Sequence, residues 1–194
     1  MTHLSQSDLY SLEEYARIRQ EFRSKVIDHK KNRRLAIGPN AALYFEDELT
    51  MQYQIQEMLR IERIFEQQGI QDELDVYNPL IPDGSNWKAT FMMEYNDVDA
   101  RKQALANLIG VEESIWLQVA GFDKVRPIAN EDLERSTEEK TSAVHFLRFE
   151  LNQPMIDALK SGAALSAGID HQNYNYTVEG LDPKIQEALI KDLQ

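Results

Sequence analysis

Two histidines and one glutamate draw attention as residues able to do chemistry, because each falls among apolar neighbours. In "SAVHFLRFEL", alternation puts His145 on one face with Leu147, Phe149 and Leu151. In "ALSAGIDHQNY", His171 shares a face with Leu165, Ala167 and Ile169, and Asp170 lies beside it on the opposite face. Glu62 belongs to "QIQEMLRIERIFEQQG". With Met51 at zero on a helical wheel, it lands at about 20°, inside the arc of Ile55, Met58, Leu59, Ile61 and Phe65. Two imidazoles and one carboxylate are the facial set of non-haem iron, which leaves positions open for a ligand. If those strands neighbour each other and meet the helix, His145, His171 and Glu62 are candidate metal ligands. The spacing is long-range, with no local signature such as H-E-x-x-H, and a lone strand histidine is more often a hydrogen-bonded core residue.

A carboxylate among apolar side chains must be paired, hydrogen-bonded or protonated. The preceding helix supplies partners, because its apolar arc of Leu12, Tyr15, Ile18, Phe22 and Val26 also contains Arg19 and His29. An Arg19–Glu62 bridge, with His29 nearby, would make a buried structural network. On the same wheel Glu57, Arg60 and Arg63 are expected to point away.

The chain carries a net charge of −12, yet residues 17–34 hold eight Lys/Arg against two acids. This island ends in "HKKNRR". Lys30 and Lys31 suit a helix C-terminus, where cations face the negative pole of the dipole. The island could equally dock on an acidic surface, the protein's own or a partner's. Arg33 and Arg34, with Lys30, Lys31 and amides near Gly38, could also hold phosphate or carboxylate.

Several classes of function are excluded or disfavoured. Without cysteine there is no disulfide, thiolate nucleophile, zinc finger or cysteine-held iron–sulfur cluster. No G-x-x-x-x-G-K-[ST] loop, G-x-G-x-x-G turn or G-x-S-x-G elbow is present. The acidic balance argues against nucleic acid or an anionic membrane as a partner. No apolar run approaches the roughly 20 residues that span a bilayer. "MTHLSQSDLYSLEEY" lacks the features of a secretory signal, so a cytoplasmic location is expected.

The elements that must position these residues are legible as patterns. Ser11, three residues before Glu14, opens the first long helix. "RRLAIGPNAALYFED" suggests two short strands, or a strand and an extended arm, around Gly38-Pro39-Asn40. A second long helix is expected from about Glu48 to Gln68, stopped by Gly69. "QDELDVYN" suggests a short helix before the "PLIPDGS" linker. Beyond it, "NWKATFMMEY", "SIWLQVAG", "AVHFLRFEL", "ALSAGIDH" and "YNYTVEG" read as strands. "DVDARKQALANLIG", "QPMIDALKSG" and "LDPKIQEALIKDL" read as helices, and "NEDLERSTEEKTS" as a polar loop. Trp87 and Trp116 are expected in the sheet's core. The expectation is one α+β domain over 1–194: two long N-terminal helices packed on a mainly antiparallel sheet with short helices. It divides into a helical half (1–80), a linker (79–86) and a sheet-rich half (87–194).

The segments "KKNRRLAIGPNAALYFED", "QIQEMLRIERIFEQQGIQDELDVYNPLIP", "SAVHFLRFEL" and "GIDHQNY" resemble a bacterial family, the domain of unknown function numbered 3501, over about residues 7–180. "QEMLRIERI" is the most specific part of that resemblance. Members tend to be encoded beside rubrerythrin-like proteins and iron–sulfur oxidoreductases, so the resemblance implies a setting in electron transfer or peroxide defence. It implies no catalytic residue. The function expected first is therefore an accessory or interaction protein docking to such a redox partner. The alternative is a small metal-dependent or anion-binding enzyme with its site between helices and sheet.

Overall fold

The computed structural model describes residues 3–133, 135–137 and 139–194. Helix α1 (Leu12–Lys30) begins where the Ser11 hydroxyl accepts the Glu14 amide at 3.2 Å, and it buries Tyr15, Phe22 and Val26. A hairpin follows, β1 (Arg34–Ile37) and β2 (Ala41–Phe45), turned at Gly38 with φ +70°. Helix α2 (Glu48–Glu62) is capped by Asp47, whose carboxylate accepts the Thr50 amide at 2.9 Å. Helix α3 (Gln67–Tyr77) and a 3-10 turn (Asn78–Leu80) lead into β3 (Asn86–Met93). Then come α4 (Val98–Asn107), β4 (Ile115–Val119), β5 (Ile128–Ala129), β6 (Val144–Glu150), α5 (Gln153–Lys160), β7 (Leu165–His171), β8 (Tyr174–Val178) and α6 (Pro183–Ile190). Among the described residues of the polar stretch 130–142 there is no helix or strand; Glu134 and Glu138 lie outside them.

The strands form two antiparallel sheets, ordered β1-β2-β3-β6-β5 and β4-β7-β8. The α+β class is therefore as expected, with two sheets in place of one. Alternation along β3 sends Trp87, Ala89, Phe91 and Met93 to a core shared by both sheets, α5 and α6. Lys88, Thr90 and Met92 face the other way, toward the helices. Those helices keep smaller clusters of their own, Met51, Ile55, Leu59, Leu74 and Ile81 in one and Tyr15, Phe22 and Val26 in the other.

Two expectations for the first 80 residues are corrected. The hairpin β1–β2 separates the helices and pairs with β3, so residues 1–80 contribute to the five-stranded sheet and are not a purely helical half. The helix expected to reach Gln68 stops at Glu62. Arg63 takes the left-handed conformation (φ 57°), and the amides of Arg63 and Ile64 both turn back to the Leu59 carbonyl. Gly69 is not the stop: it sits inside α3, where a Cβ would lie 2.7 Å from Ile64 Cγ2. The missing side chain lets Ile64 pack there and sets the break.

That break decides the fate of Glu62, which is exposed at the end of α2. The expected Arg19–Glu62 bridge is made instead by Glu57, five residues earlier. Arg19 donates to both Glu57 oxygens at 2.7 and 2.8 Å, and Tyr15 Oη and Arg60 Nη2 donate at 2.7 and 3.1 Å. The Arg19 bond, helped by those from Tyr15 and Arg60 and opposed by burial, lowers the Glu57 pKa to about 2.

The packing predicts the outcome of three substitutions. In β7, a Cβ on Gly168 would meet Trp116 Cζ2 at 2.3 Å, and Trp116 is itself tied by its indole N–H to Asp170 at 2.8 Å. Gly168→Ala is therefore expected to lower stability by about 1–3 kcal/mol in urea unfolding. Glu57 has a folded pKa below its unfolded value, so its contribution is complete above about pH 4.5 and fades as pH falls toward about 2. Glu57→Gln should lower stability near neutral pH by about 1–3 kcal/mol, with the gap from wild type closing in acid. Glu62→Gln, at an exposed position, should change stability near neutral pH by no more than about 0.5 kcal/mol.

Candidate functional site

Part of the basic island is taken up by the protein's own acceptors, and Arg33 is its one buried cation. Arg33, 2% exposed, donates from Nε to the Phe45 carbonyl at 3.0 Å and from Nη2 to the Glu46 carbonyl at 3.0 Å. Its guanidinium also reaches Asp192 at 2.5 Å and Asp47 at 3.3 Å. His29 Nε2 lies 2.5 Å from the same Asp47. Burial raises the Asp192 pKa, with Arg33 opposing the shift. Arg34 donates to the Tyr44 hydroxyl and to Glu94 at 2.8 Å each, and Lys31 pairs with Asp28 at 2.7 Å. Of the expected anion-binding set, Arg33, Arg34 and Lys31 are thus held by the protein's own acceptors. Lys30 alone has no carboxylate within salt-bridge distance among the described residues.

The structure does not bring Glu62, His145 and His171 together. His171 Nε2 faces the Ile109 carbonyl at 3.2 Å, and its Nδ1 accepts the Asn173 amide at 3.2 Å. His145 is wholly buried, 3.9 Å from Glu112, a residue of the 3-10 turn Val111–Ser114. Its Nε2 faces the Ser142 carbonyl at 3.1 Å and the Thr141 hydroxyl at 2.9 Å, and Nδ1 meets the Asn130 amide nitrogen at 3.0 Å. That pattern puts the proton on Nε2; burial lowers the pKa, with Glu112 and the bond to the Ser142 carbonyl opposing it. The Ser136 hydroxyl completes the network by donating to Glu112 at 2.5 Å. A cavity of about 450 Å³ opens beside it, lined by Glu112, Asn130 and Ser136 of the network, whereas the imidazole and Thr141 are buried; Asn130 Oδ1 meets no donor from the protein. Among the described residues, no three His, Asp or Glu side chains converge as a metal-ligand set.

The feature that composition and spacing left unmarked lies between the helical layer and the outer face of the five-stranded sheet. A cavity of about 470 Å³ is walled by Met51 and Gln54 of α2, Tyr77 and Leu80, and by Tyr44, Thr90, Met92 and Phe146 of the sheet. Beyond Tyr77, Leu80 and Phe146 it is continued by a second of about 540 Å³, bounded by Val76, Lys88 and Arg148. The walls are largely apolar with a few convergent polar groups, the composition of small-molecule sites. Lys30 and Glu94 also line the first cavity, and Glu94 is held by Arg34 and the Tyr44 hydroxyl.

Glu46 is the exception in this wall. It is 6% exposed; one carboxylate oxygen accepts the Thr90 hydroxyl at 2.7 Å, and the other is buried without any donor from the protein. A carboxylate oxygen so placed is costly to leave unmade. Sequence reasoning passed over Glu46 because it follows β2 directly, outside the alternating pattern. Its position is fixed by its own backbone: its amide donates to the Lys88 carbonyl at 2.8 Å and its carbonyl accepts Arg33.

No helix among the described residues is long and apolar enough to cross a membrane. No curated protein matches the chain. A crystal structure of a protein from Burkholderia pseudomallei, described as a novel protein of unknown function, is similar at 50% identity and a TM-score of 0.94, covering 100% of both chains. The family described as "Protein of unknown function (DUF3501)" matches residues 3–193, and the chain belongs to that family.

Proposed function

We propose that the protein is a binding protein for a small molecule, taken into the groove between α2–α3 and the outer face of the five-stranded sheet. One observation carries the reading: a buried carboxylate with an unused oxygen, Glu46, in the wall of a cavity that also presents Met51, Leu80, Met92 and Phe146. Positions where the ordinary rule of polar satisfaction is broken are where function is expected. Binding is favoured over catalysis because the groove pairs Glu46 with no imidazole or activated nucleophile. Docking to a redox partner through the basic island is the second reading: four of its eight cations, Arg19, Lys31, Arg33 and Arg34, already pair with the protein's own carboxylates. An accessory role in electron transfer or peroxide defence, the setting implied by the family's gene neighbours, would then be exerted by carrying or sensing a small molecule.

The neutral apolar fluorophore aminoanthracene tests the groove. Its emission is expected to rise on mixing with the wild-type chain. Met92→Trp and Leu80→Trp, which fill the cavity from opposite walls, should each abolish the rise while the circular dichroism spectrum is kept. No rise with wild type, or an undiminished rise with both variants, would overturn the reading.

A further inference from the structure

We infer that the ligand of this groove is a zwitterion with an apolar body, in chemical class an aliphatic or aromatic amino acid, with its ammonium on Glu46 and its carboxylate on Lys30. The inference rests on the groove being the binding site. It goes further by using two charges of the first cavity, Glu46 and Lys30, that no opposite charge of the protein meets within salt-bridge distance among the described residues. Glu46 offers a buried oxygen that no protein donor meets. Lys30 is the last residue of α1, half-buried on the same cavity, and no carboxylate lies within salt-bridge distance of it among the described residues. The remaining charge in this wall, Glu94, is held by Arg34 and Tyr44 and needs nothing more.

Complementarity selects the class. A ligand bearing only a cation would satisfy Glu46 but bring a like charge toward Lys30. An anionic ligand would satisfy Lys30 and face the unscreened Glu46 carboxylate. A molecule carrying both charges turns each repulsion into attraction, and such rejection of wrong partners is how charged sites discriminate. The lysine has a flexible stem that can follow the carboxylate, whereas Glu46 is held by Thr90 and its own backbone. Met51, Leu80, Met92 and Phe146 then cover the apolar body, and about 470 Å³ leaves ample room for a side chain the size of leucine or phenylalanine. A metal ion is not favoured by the same site, because Glu46 finds no second and third ligand there.

Displacement of aminoanthracene tests the inference on the full chain. Two matched sets of competitors are used: phenylalanine, phenethylamine and phenylpropionate, and leucine, isoamylamine and isocaproate. In at least one set the zwitterion should displace the fluorophore at a concentration about ten-fold or more below either singly charged analogue. Glu46→Gln, which keeps the shape, should erase the zwitterion's advantage over the acid, and Lys30→Met its advantage over the amine. If aminoanthracene binds but an amine or an acid matches its zwitterion in both sets, the ligand class is wrong and the groove reading stands. Failure of aminoanthracene itself to bind removes both. The wild-type comparison decides the matter even if a variant does not fold.

Discussion

The guanidinium of Arg33 is the contact on which the rest of the structure depends. It is buried where four segments meet: the end of α1, the exit of β2, the cap of α2 and the C-terminal turn after α6. Its donors are divided between carbonyls of Phe45, Glu46 and Ala188 and the carboxylates of Asp47 and Asp192. A buried charge survives only with such complete satisfaction. The planar fork of arginine can serve acceptors on several sides at once, which a lysine ammonium on the same stem would not do. The consequence is local rigidity at residues 45–47, the stretch that turns the chain from sheet to helix. Glu46 is presented to the groove from that stretch.

The groove itself follows from the way the two halves of the protein pack. Helices α1–α3 bury most of their apolar surface against one another, and only part of it reaches the sheet. The outer face of the five-stranded sheet carries Tyr44, Thr90, Met92 and Phe146 and is roofed by α2 and the turn after α3, so the layers touch without interdigitating fully. The opposite face of the same sheet shows the contrast. There Trp87, Phe91 and Phe149 are fully packed, and the polar intruder His145 has partners on both ring nitrogens. One buried ionisable residue is thus closed into a network, while the other keeps an oxygen in reserve beside a cavity.

The reading of individual residues succeeded where local spacing was enough. The partner of Arg19 was recognised as a carboxylate on the second helix, but Glu62 was chosen over Glu57. The wheel was carried through Arg63 as if the helix continued, and the break there is set by Ile64 packing on Gly69, a contact between α3 and the residue before it. The wheel turns Glu57 away from the apolar arc, toward what reads as solvent; α1 lies on that side and supplies both Arg19 and Tyr15. His145 and His171 were correctly placed on inward faces. Besides local partners such as Ser142 and Asn173, each also meets a group of the segment 109–112, Glu112 for His145 and the Ile109 carbonyl for His171, and nothing in strand alternation points there.

The sequence by itself determined the α+β class, most of the strands and helices though not all their ends, and the inward orientation of the histidines. These depend on periodicity and capping, which act over a few residues. Only the tertiary structure decided that Arg19 pairs with Glu57, that Arg33 closes on Asp47 and Asp192, and that Glu46 borders a cavity. Those outcomes depend on how layers meet, and residues such as Arg33 and Asp192, far apart along the chain, are joined only when the whole chain has packed.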